Sequence, residues 1–285
     1  MNYFDTLVNT ALENNPAYTG LRPAVEKEIL HHDILSEMNK AGFLKSLTFI
    51  GGTCLRLCYG SERLSEDLDF AGGFDFKKSD IADLGVLLKN SLEKKYELPV
   101  QVSSPIKETG NVETWKIKMT TRPDRPNLPA QRINIDICLL PSHDPKPVML
   151  RNFYRIETGT SGIIMYAESL EELLCDKLIA LAMRPNRVKN RDLWDIFWLD
   201  RKNITLSKKL FPQKLEDRKI SPNDFSVRYK NRLSEIQDHQ KDFLFELRRF
   251  LSPQVFDDNF TSPIWWEWFL SMLEHLLLLI EQWHP

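Results

Sequence analysis

The sequence predicts an α+β protein in which a module with a small mixed sheet is followed by a helical C-terminal half. Short apolar and alternating runs, separated by glycine and proline turns, extend to about residue 165, and apolar residues at helical spacing dominate after that point. We therefore expect two domains, residues 1–165 and 166–285. With 42% apolar residues in a chain of 285, there is enough hydrophobic material for a sizeable core.

Strands and helices alternate in the first of these domains. The expected elements are, in order, a helix over 22–42, a strand over 46–50, a short helix capped by Thr53 and ended by Gly60, a strand over 65–70, a helix from Ser79 to about 95, two strands over 112–121 and 131–140, and an extended stretch over 162–167. Prolines between 123 and 130 suit a connection, so the strands at 112–121 and 131–140 are expected to form a hairpin.

The second domain is expected to be helical from SLEELLCDKLIALAMR onward, with loops near 184–190, 211–223 and 252–263. Its last apolar run, PIWWEWFLSMLEHLLLLIEQW, is interrupted by charged residues well short of the roughly 20 apolar residues that a membrane span needs. We interpret it as a buried terminal helix and expect no membrane association.

The cellular setting is predicted from the N-terminus and the cysteines. The first residues lack the basic start and apolar run of a secretion signal, and the four cysteines form no CxxC pair and no zinc-like spacing. A reducing, cytoplasmic location is therefore expected.

Charge is distributed unevenly along the chain. Residues 184–232 hold fourteen Lys or Arg against six Asp or Glu, a net charge of +8, whereas the whole chain has a net charge of −2. This pattern indicates either a polyanion-binding surface, with RNA or DNA as the partner, or an ordinary solvated helical face.

Two aspartates in SEDLDF are the first candidates for chemistry. Asp67 and Asp69 are two apart, so in a strand they share one face while Leu68 and Phe70 occupy the other. Two neighbouring carboxylates repel each other unless a cation neutralises them, and their oxygen ligands suit Mg²⁺ or Mn²⁺. Such pairs also occur on ordinary strand surfaces, so the DxD pattern is not specific by itself.

A third aspartate lies in the strand RINIDICLL. Ile133, Ile135 and Ile137 form one apolar face, which leaves Asp136 on the other beside Asn134. An acidic residue within an otherwise apolar strand must reach water or a cation. If the two acidic strands are neighbours, Asp136 becomes the third carboxylate of a metal site.

A glycine turn precedes the acidic strand. Gly51, Gly52 and Thr53 join a strand to a helix N-terminus, which offers free N–H groups and lets a phosphate approach the backbone. Neither a P-loop nor a GxGxxG pattern is present. Arg63 stands between this turn and the acidic strand, either as a phosphate-binding guanidinium or as a surface arginine.

Three further charged residues remain ambiguous on spacing alone. Lys177 stands in an apolar helix, from which it either extends to solvent or reaches a phosphate. Asp192 and Asp195 follow a basic run, as part of a helix-start ion-pair network or of an active-site rim.

These motifs resemble, over about residues 47–200, the nucleotidyltransferases of the AbiEii/AbiGii toxin family. The resemblance rests on GGTCLRLCYGSERLSEDLDF, INIDICLL, EELLCDKLIALAMR and RVKNRDLWDIFWL, which occur in the family's order. It implies a DNA polymerase β-like nucleotidyltransferase domain with a helical C-terminal portion that completes the active site. It also implies a toxin of a type IV toxin–antitoxin, or abortive-infection, system, in which several members transfer nucleotides to tRNA.

Site residues follow from the resemblance position by position. It implies that Gly52 and Thr53 mark the first motif, that Asp67, Asp69 and Asp136 are the metal and catalytic carboxylates, that Lys177 is the catalytic lysine near the triphosphate, and that Asp192 or Asp195 is the acid of the last motif. Asp176 stands where the family often has Glu. Beyond residue 200 there is no recognised motif, and we expect acceptor choice to lie there.

The expected reaction is transfer of NMP from an NTP to an acceptor hydroxyl, with Mg²⁺ or Mn²⁺ as cofactor and a tRNA 3′ end or other RNA as acceptor. A cognate antitoxin is the expected protein partner. Two alternatives stay open: transfer to a protein or to a small molecule such as an aminoglycoside, and a non-catalytic nucleotide- or partner-binding module. A DxD glycosyltransferase is disfavoured because the acidic strand follows a glycine turn at short range.

Overall fold

The computed structural model describes residues 2–105, 111–125, 127–185 and 187–283. The chain divides into two compact units, unit 1 over 1–168 and unit 2 over 169–285. Each unit is described by itself below.

Unit 1 contains four α-helices, three 3₁₀ turns and seven strands among its described residues. The helices are α1 Tyr3–Asn14, α2 Arg22–Lys40, α3 Gly51–Leu57 and α4 Leu84–Tyr96, and the 3₁₀ turns are Pro16–Leu21, Phe43–Lys45 and Lys78–Ile81. The strands are β1 Thr48–Ile50, β2 Leu68–Ala71, β3 Val100–Ser103, β4 Val112–Met119, β5 Gln131–Cys138, β6 Pro145–Met149 and β7 Ile164–Glu168.

The seven strands form one mixed sheet in the order β3-β4-β5-β2-β1-β7-β6. β2 and β5 are parallel, as are β1 and β7, and the remaining neighbours are antiparallel. The predicted hairpin is present as β4 and β5, and the two acidic strands β2 and β5 are direct neighbours. The mixed sheet confirms the α+β class expected from the sequence.

One face of this sheet belongs to the core. Leu68, Phe70, Ile133, Ile135 and Ile137 are all buried, and α2 packs against β5. Among the alternate residues, Asp69, Asn134 and Asp136 are only partly buried and Arg132 is exposed, so they lie on the opposite face. The period-two pattern therefore separates an apolar face from a polar, solvent-accessible one.

Unit 2 is helical throughout its described residues. Its helices are α5 Leu170–Met183, α6 Asn190–Arg201, α7 Leu210–Asp217, α8 Pro222–Ile236, α9 Gln240–Leu247, α10 Pro253–Phe260 and α11 Trp265–Trp283. Aromatic rings from α6, α9, α10 and α11 meet in its core; Phe243, for example, has ring-centroid distances of 5.6 Å to both Phe260 and Trp265. The predicted terminal helix is present, with Phe269 and Leu273 buried but Trp268 and Leu278 about half exposed.

No helix within the described ranges is long and apolar enough to cross a membrane.

Two predicted helix caps are wrong. Thr53 is the third residue of α3, whose N-cap position is held by Ile50 without a side-chain hydrogen bond. The helix starts earlier than expected because Gly51 adopts φ +76°, which lets the chain turn directly from β1 into the helix. Ser79 lies in a 3₁₀ turn, and α4 begins only at Leu84.

Two predicted loops contain helices. α7 lies largely within 211–223 and α10 within 252–263. Their prolines, Pro212 and Pro253, stand in the first helical turn, where the missing N–H has no intrahelical partner to lose. The predicted loops over 123–130 and 184–190 each include one residue, 126 and 186, outside the described residues.

Candidate active site

Asp69 and Asp136 lie side by side on the polar face of the unit 1 sheet. They are register partners on the parallel neighbours β2 and β5. Thr114, opposite Asp136 on β4, donates its hydroxyl hydrogen to Asp136 Oδ1 at 2.6 Å. Two carboxylates from different strands therefore occupy adjacent positions on one surface.

Asp67 immediately precedes β2, which begins at Leu68 and not at 65 as predicted. Its Oδ1 accepts a hydrogen bond of 2.9 Å from the backbone N–H of Asn134 on β5. This bond uses one of the two carboxylate oxygens and holds Asp67 against β5, the strand that carries Asp136. Among the described residues, no three His, Cys, Asp or Glu side chains converge closely enough to hold a metal ion.

The glycine turn lies directly against these carboxylates. A Cβ atom at position 51 would be 2.5 Å from Asp69 Oδ2, so only glycine leaves space for the carboxylate there. A Cβ atom at position 52 would be 2.3 Å from Arg63 Nη2. The turn, Asp69 and the Arg63 guanidinium therefore meet at the C-terminal end of β1.

Arg63 is 3% exposed, which excludes the ordinary surface arginine that the sequence left open. Its Nη1 donates to the carbonyl of Leu64 at 3.0 Å. A buried guanidinium beside a helix N-terminus places two sources of positive potential at the same point. Thr53 reinforces this region, because its hydroxyl donates to the carbonyl oxygen of Asp67.

A buried ion pair fixes helix α3 to helix α2. Arg56 Nε lies 3.1 Å from each carboxylate oxygen of Glu28 on α2, and both side chains are about 1% exposed. The guanidinium carbon also lies 3.6 Å from the ring centroid of Phe153. Although burial disfavours the charge, attraction to Glu28 raises the pKa of Arg56, so the cation is retained.

In unit 2, the ambiguous lysine and aspartates form one buried cluster. Lys177 Nζ lies 2.9 Å from Asp192 Oδ1 and 2.7 Å from Asp195 Oδ2, and Arg184 Nη2 lies 2.8 Å from Asp192 Oδ2. Lys177 is 9% exposed and does not extend to solvent. Burial alone would raise the pKa of Asp192, but the surrounding cations, Lys177 foremost, hold it below its usual range.

Several cations of the basic segment 184–232 serve unit 2 itself. Lys214 is 1% exposed and lies 2.6 Å from Glu172 Oε1. Arg232, 8% exposed, donates to the backbone carbonyls of Leu181 and Arg184. Lys214 and Arg232 therefore connect helices of unit 2 and do not contribute positive charge to its exposed surface.

Sequence reasoning missed the groups that orient Asp136 and Asp67. Thr114 and the backbone N–H of Asn134 act across strands, so their roles depend on a strand register that no local pattern specifies. Ser65 was also missed; its hydroxyl oxygen would lie 3.1 Å from a Cβ at position 52. Its position within the acidic motif is the feature that would have singled it out.

Comparison with known proteins gives one family and a small set of related structures. The family described as "Nucleotidyl transferase AbiEii toxin, Type IV TA system" matches residues 33–272. No curated protein matches the sequence.

Two solved structures show a similar fold. The chain is similar to MenT4, a nucleotidyltransferase toxin from Mycobacterium tuberculosis, with a TM-score of 0.57, 14% identity, and coverage of 99% of this chain and 93% of that one. It is also similar to JHP933 from Helicobacter pylori, with a TM-score of 0.50, 19% identity, and coverage of 91% and 92%. At these identities the likeness concerns the fold.

Proposed function

Because the chain belongs to the AbiEii nucleotidyltransferase toxins of type IV toxin–antitoxin systems, we propose that the polar face of its sheet transfers NMP from an NTP to a hydroxyl at the 3′ end of a tRNA. The observation that carries this proposal is the in-register pair Asp69 and Asp136 beside the glycine turn. Carboxylates next to a phosphate-accepting turn are the arrangement that nucleotidyl transfer requires.

The chemistry of the three carboxylates suits a divalent metal, although the three do not converge on one point in the described structure. Asp67, Asp69 and Asp136 offer hard carboxylate oxygens, and two of the three are already adjacent across β2 and β5. We propose that these residues would hold Mg²⁺ or Mn²⁺. When bound, the metal supplies charge neutralisation at the reacting phosphate and lowers the pKa of the attacking hydroxyl.

The chain's own residues position the triphosphate. The N–H groups at the start of α3 and the guanidinium of Arg63 lie beside Gly51 and Gly52, where they would donate hydrogen bonds to phosphate oxygens. Thr53 fixes this turn to the strand that carries Asp69. Positioning and electrostatic stabilisation are therefore their contribution, more than proton transfer.

In the proposed reaction, the acceptor oxygen attacks the α-phosphorus and forms a new O–P bond. The bond from the α-phosphorus to the bridging oxygen breaks, and pyrophosphate leaves with the electron pair. Asp136, which Thr114 orients through a hydrogen bond to Oδ1, accepts the hydroxyl proton.

Lys177 is proposed as a catalytic residue of unit 2, and Asp192 and Asp195 are proposed as nucleotide-binding residues. The family resemblance carries this assignment, and the buried lysine between two carboxylates is consistent with a cation kept charged and fixed in orientation. A cognate antitoxin is the partner that membership of the family implies.

The test is incubation of the protein with each of the four α-labelled NTPs, cellular RNA and Mg²⁺. We expect label in the tRNA fraction, its loss on addition of EDTA, and at least a roughly 100-fold lower rate for Asp69→Asn, as for removal of a principal charge-stabilising group. Asp258→Asn, an exposed carboxylate on α10, is the matched control and should retain the activity.

Equal labelling of RNA by the wild type and Asp69→Asn would exclude the proposed site. Label in the protein fraction or in an added aminoglycoside, with none in RNA, would replace tRNA by that acceptor. Labelling that persists in EDTA would exclude the metal.

A further inference from the structure

Three cations share the polar face of the sheet with the acidic pair. Lys116 and Lys118 on β4 alternate with the buried Trp115, Ile117 and Met119, and Arg132 on β5 alternates with the buried Ile133. Lys116 and Arg132 are exposed and Lys118 is half-buried. We refer to Lys116, Lys118 and Arg132 as the cation strip.

The strip contains a like-charge pair at close range. Lys118 and Arg132 are register partners across the antiparallel β4 and β5, and Lys116 follows two residues along. Directly opposed side chains have Cβ atoms roughly 5 Å apart, and like charges there destabilise the sheet. None of the three side chains is ion-paired with any residue in the ranges that the structure describes. Because no negative side chain of the described residues neutralises these cations, an anion from outside the protein would relieve their repulsion.

The strip continues directly from the candidate active site. Lys116 is opposite Asn134, whose N–H holds Asp67, and Asn134 is two residues, or about 7 Å, from Asp136. Arg132 is four residues from Asp136, or about 13 Å. A strand of nucleic acid whose terminal hydroxyl reaches Asp136 would pass over these three cations.

Unit 2 offers less open positive charge than its sequence indicated. The whole unit carries eighteen Lys or Arg and eighteen Asp or Glu, and is therefore neutral. Its most buried cations, Lys214 and Arg232, are bonded within the unit. The expectation of a polyanion-binding surface over 184–232 stays a prediction, and the cation strip adds, among the described residues, cations without an ion pair close to the carboxylates.

We propose that the cation strip binds the backbone phosphates of the acceptor's single-stranded 3′ segment and guides its terminal hydroxyl to Asp136. This inference rests on the proposed function, in that the acceptor is an RNA. Each cation contributes through phosphate contact, so recognition here does not depend on base sequence.

The strip predicts a specific salt dependence. Affinity for single-stranded RNA falls with salt by about 0.7 logarithmic units per phosphate contact, so removing three contacts should reduce the slope of log K against log salt by about 2. We would measure the anisotropy of a labelled RNA of about ten nucleotides, within the span of ordinary single-strand sites, from low to physiological salt. The proteins are the wild type and Lys116→Gln/Lys118→Gln/Arg132→Gln.

Two further triple variants make the same charge change elsewhere. Lys45→Gln/Lys89→Gln/Lys94→Gln removes exposed lysines of unit 1 that lie outside the strip, and should keep the wild-type slope. Lys202→Gln/Lys208→Gln/Lys209→Gln removes exposed cations of the basic segment. If this last variant reduces the slope and the strip variant does not, the proposal is overturned.

Steady-state transfer separates the strip from the chemistry. We expect the strip variant to raise the KM for RNA roughly tenfold or more, with a smaller effect on kcat at saturating RNA, because the strip binds the acceptor and not the reacting phosphate. An unchanged KM for RNA, in a wild type that does label RNA, overturns the strip alone. A wild type that labels no RNA overturns the proposed function first.

Lys118→Glu distinguishes binding from folding. It would convert the like-charge pair with Arg132 into an opposite-charge pair, so Tm should rise while the KM for RNA also rises. A lower Tm together with unchanged RNA affinity would show that Lys118 has only a structural role.

Discussion

At the scale of single residues, the candidate site depends on two glycines, Gly51 and Gly52, which have no side chain. Gly51 has φ +76°, and its Cα faces the carboxylate of Asp69 closely enough that a methyl group would contact Oδ2 at 2.5 Å. Gly52 stands in the same relation to the Arg63 guanidinium. The two glycines therefore determine where both the negative and the positive groups of the site can lie.

Gly51→Ala is expected to displace the Asp69 carboxylate and to place a non-glycine residue in the left-handed region, at a cost of about 1–2 kcal/mol. We expect kcat/KM for NTP to fall at least roughly tenfold, since small displacements of catalytic groups have effects of this size or more. The measurement is NTP turnover together with the free energy of unfolding in urea.

Gly20→Ala is the matched control, because no atom lies within 4 Å of its Cβ position. It should leave turnover unchanged. Normal turnover by Gly51→Ala at full folding would show that the Asp69 carboxylate need not occupy the position seen here.

At the scale of elements, the glycine turn is useful only if α3 is held in place. The buried pair Arg56 and Glu28 links α3 to α2, and Arg56 Nη1 also donates to the carbonyl of Ser61 on the segment leading to the acidic strand. One side chain thus connects the helix that presents the glycines with the chain that carries Asp67 and Asp69.

Arg56→Met would leave Glu28 buried without its cation. The expected loss in the free energy of unfolding is about 3–5 kcal/mol, and the double variant Arg56→Met/Glu28→Leu should recover most of it because no charge is then stranded. Urea denaturation measures both. Lys40→Met, which removes the cation of the exposed pair with Glu37, should cost no more than about 1 kcal/mol.

If the double variant were as unstable as Arg56→Met, the ion pair itself would be the source of stability. Restored stability without restored turnover would indicate that the pair positions α3 for function.

The elements also show where local sequence signals fail. Period-two alternation placed Asp69 and Asp136 on the face opposite the isoleucines, since burial follows the alternation directly. In contrast, the segments around Pro212 and Pro253 were predicted to be loops, although each proline lies in the first turn of a helix. Proline occurs both in loops and in the first turn of helices. Only the apolar contacts of the residues that follow it decide which of the two structures forms.

At the scale of the whole molecule, the sequence could predict a mixed sheet but not its strand order. The contacts of Thr114 with Asp136 and of Lys118 with Arg132 join residues 22 and 14 positions apart, respectively, and a shift of one residue would separate them. The carboxylates were recognisable because each stands within a local pattern. The groups that orient them, and the cation strip, required the register.

Two buried histidines on α2 should control the acid stability of the chain. Burial lowers the pKa of His31 to about 4 and that of His32 to about 3, below the ordinary 6.5. Nδ1 of His32 lies 2.7 Å from the hydroxyl of Thr160, and its Nε2 has no partner among the described residues. Both rings are therefore neutral in the folded state where the unfolded chain would protonate them.

The sign of the effect follows from proton uptake. Below pH 6.5 the unfolded state binds more protons at these positions, so their contribution to stability is complete above pH 6.5 and is lost as the pH falls towards 4 and then 3. At pH 5 the loss amounts to about 2 kcal/mol for each histidine. Asp33, whose pKa is raised by burial, works in the opposite direction.

Because these effects oppose each other, the diagnostic comparison is between variants. His32→Asn keeps a polar atom near Thr160 but removes the titration, so the free energy of unfolding should decline less between pH 7 and pH 5 than in the wild type, by about 2 kcal/mol. His275→Asn, on the exposed side of α11, should follow the wild-type curve. Parallel curves for His32→Asn and the wild type would mean that His32 takes up a proton in the folded protein as readily as in the unfolded chain. The buried face of α2 would then hold a charged imidazolium that has no partner for its charge.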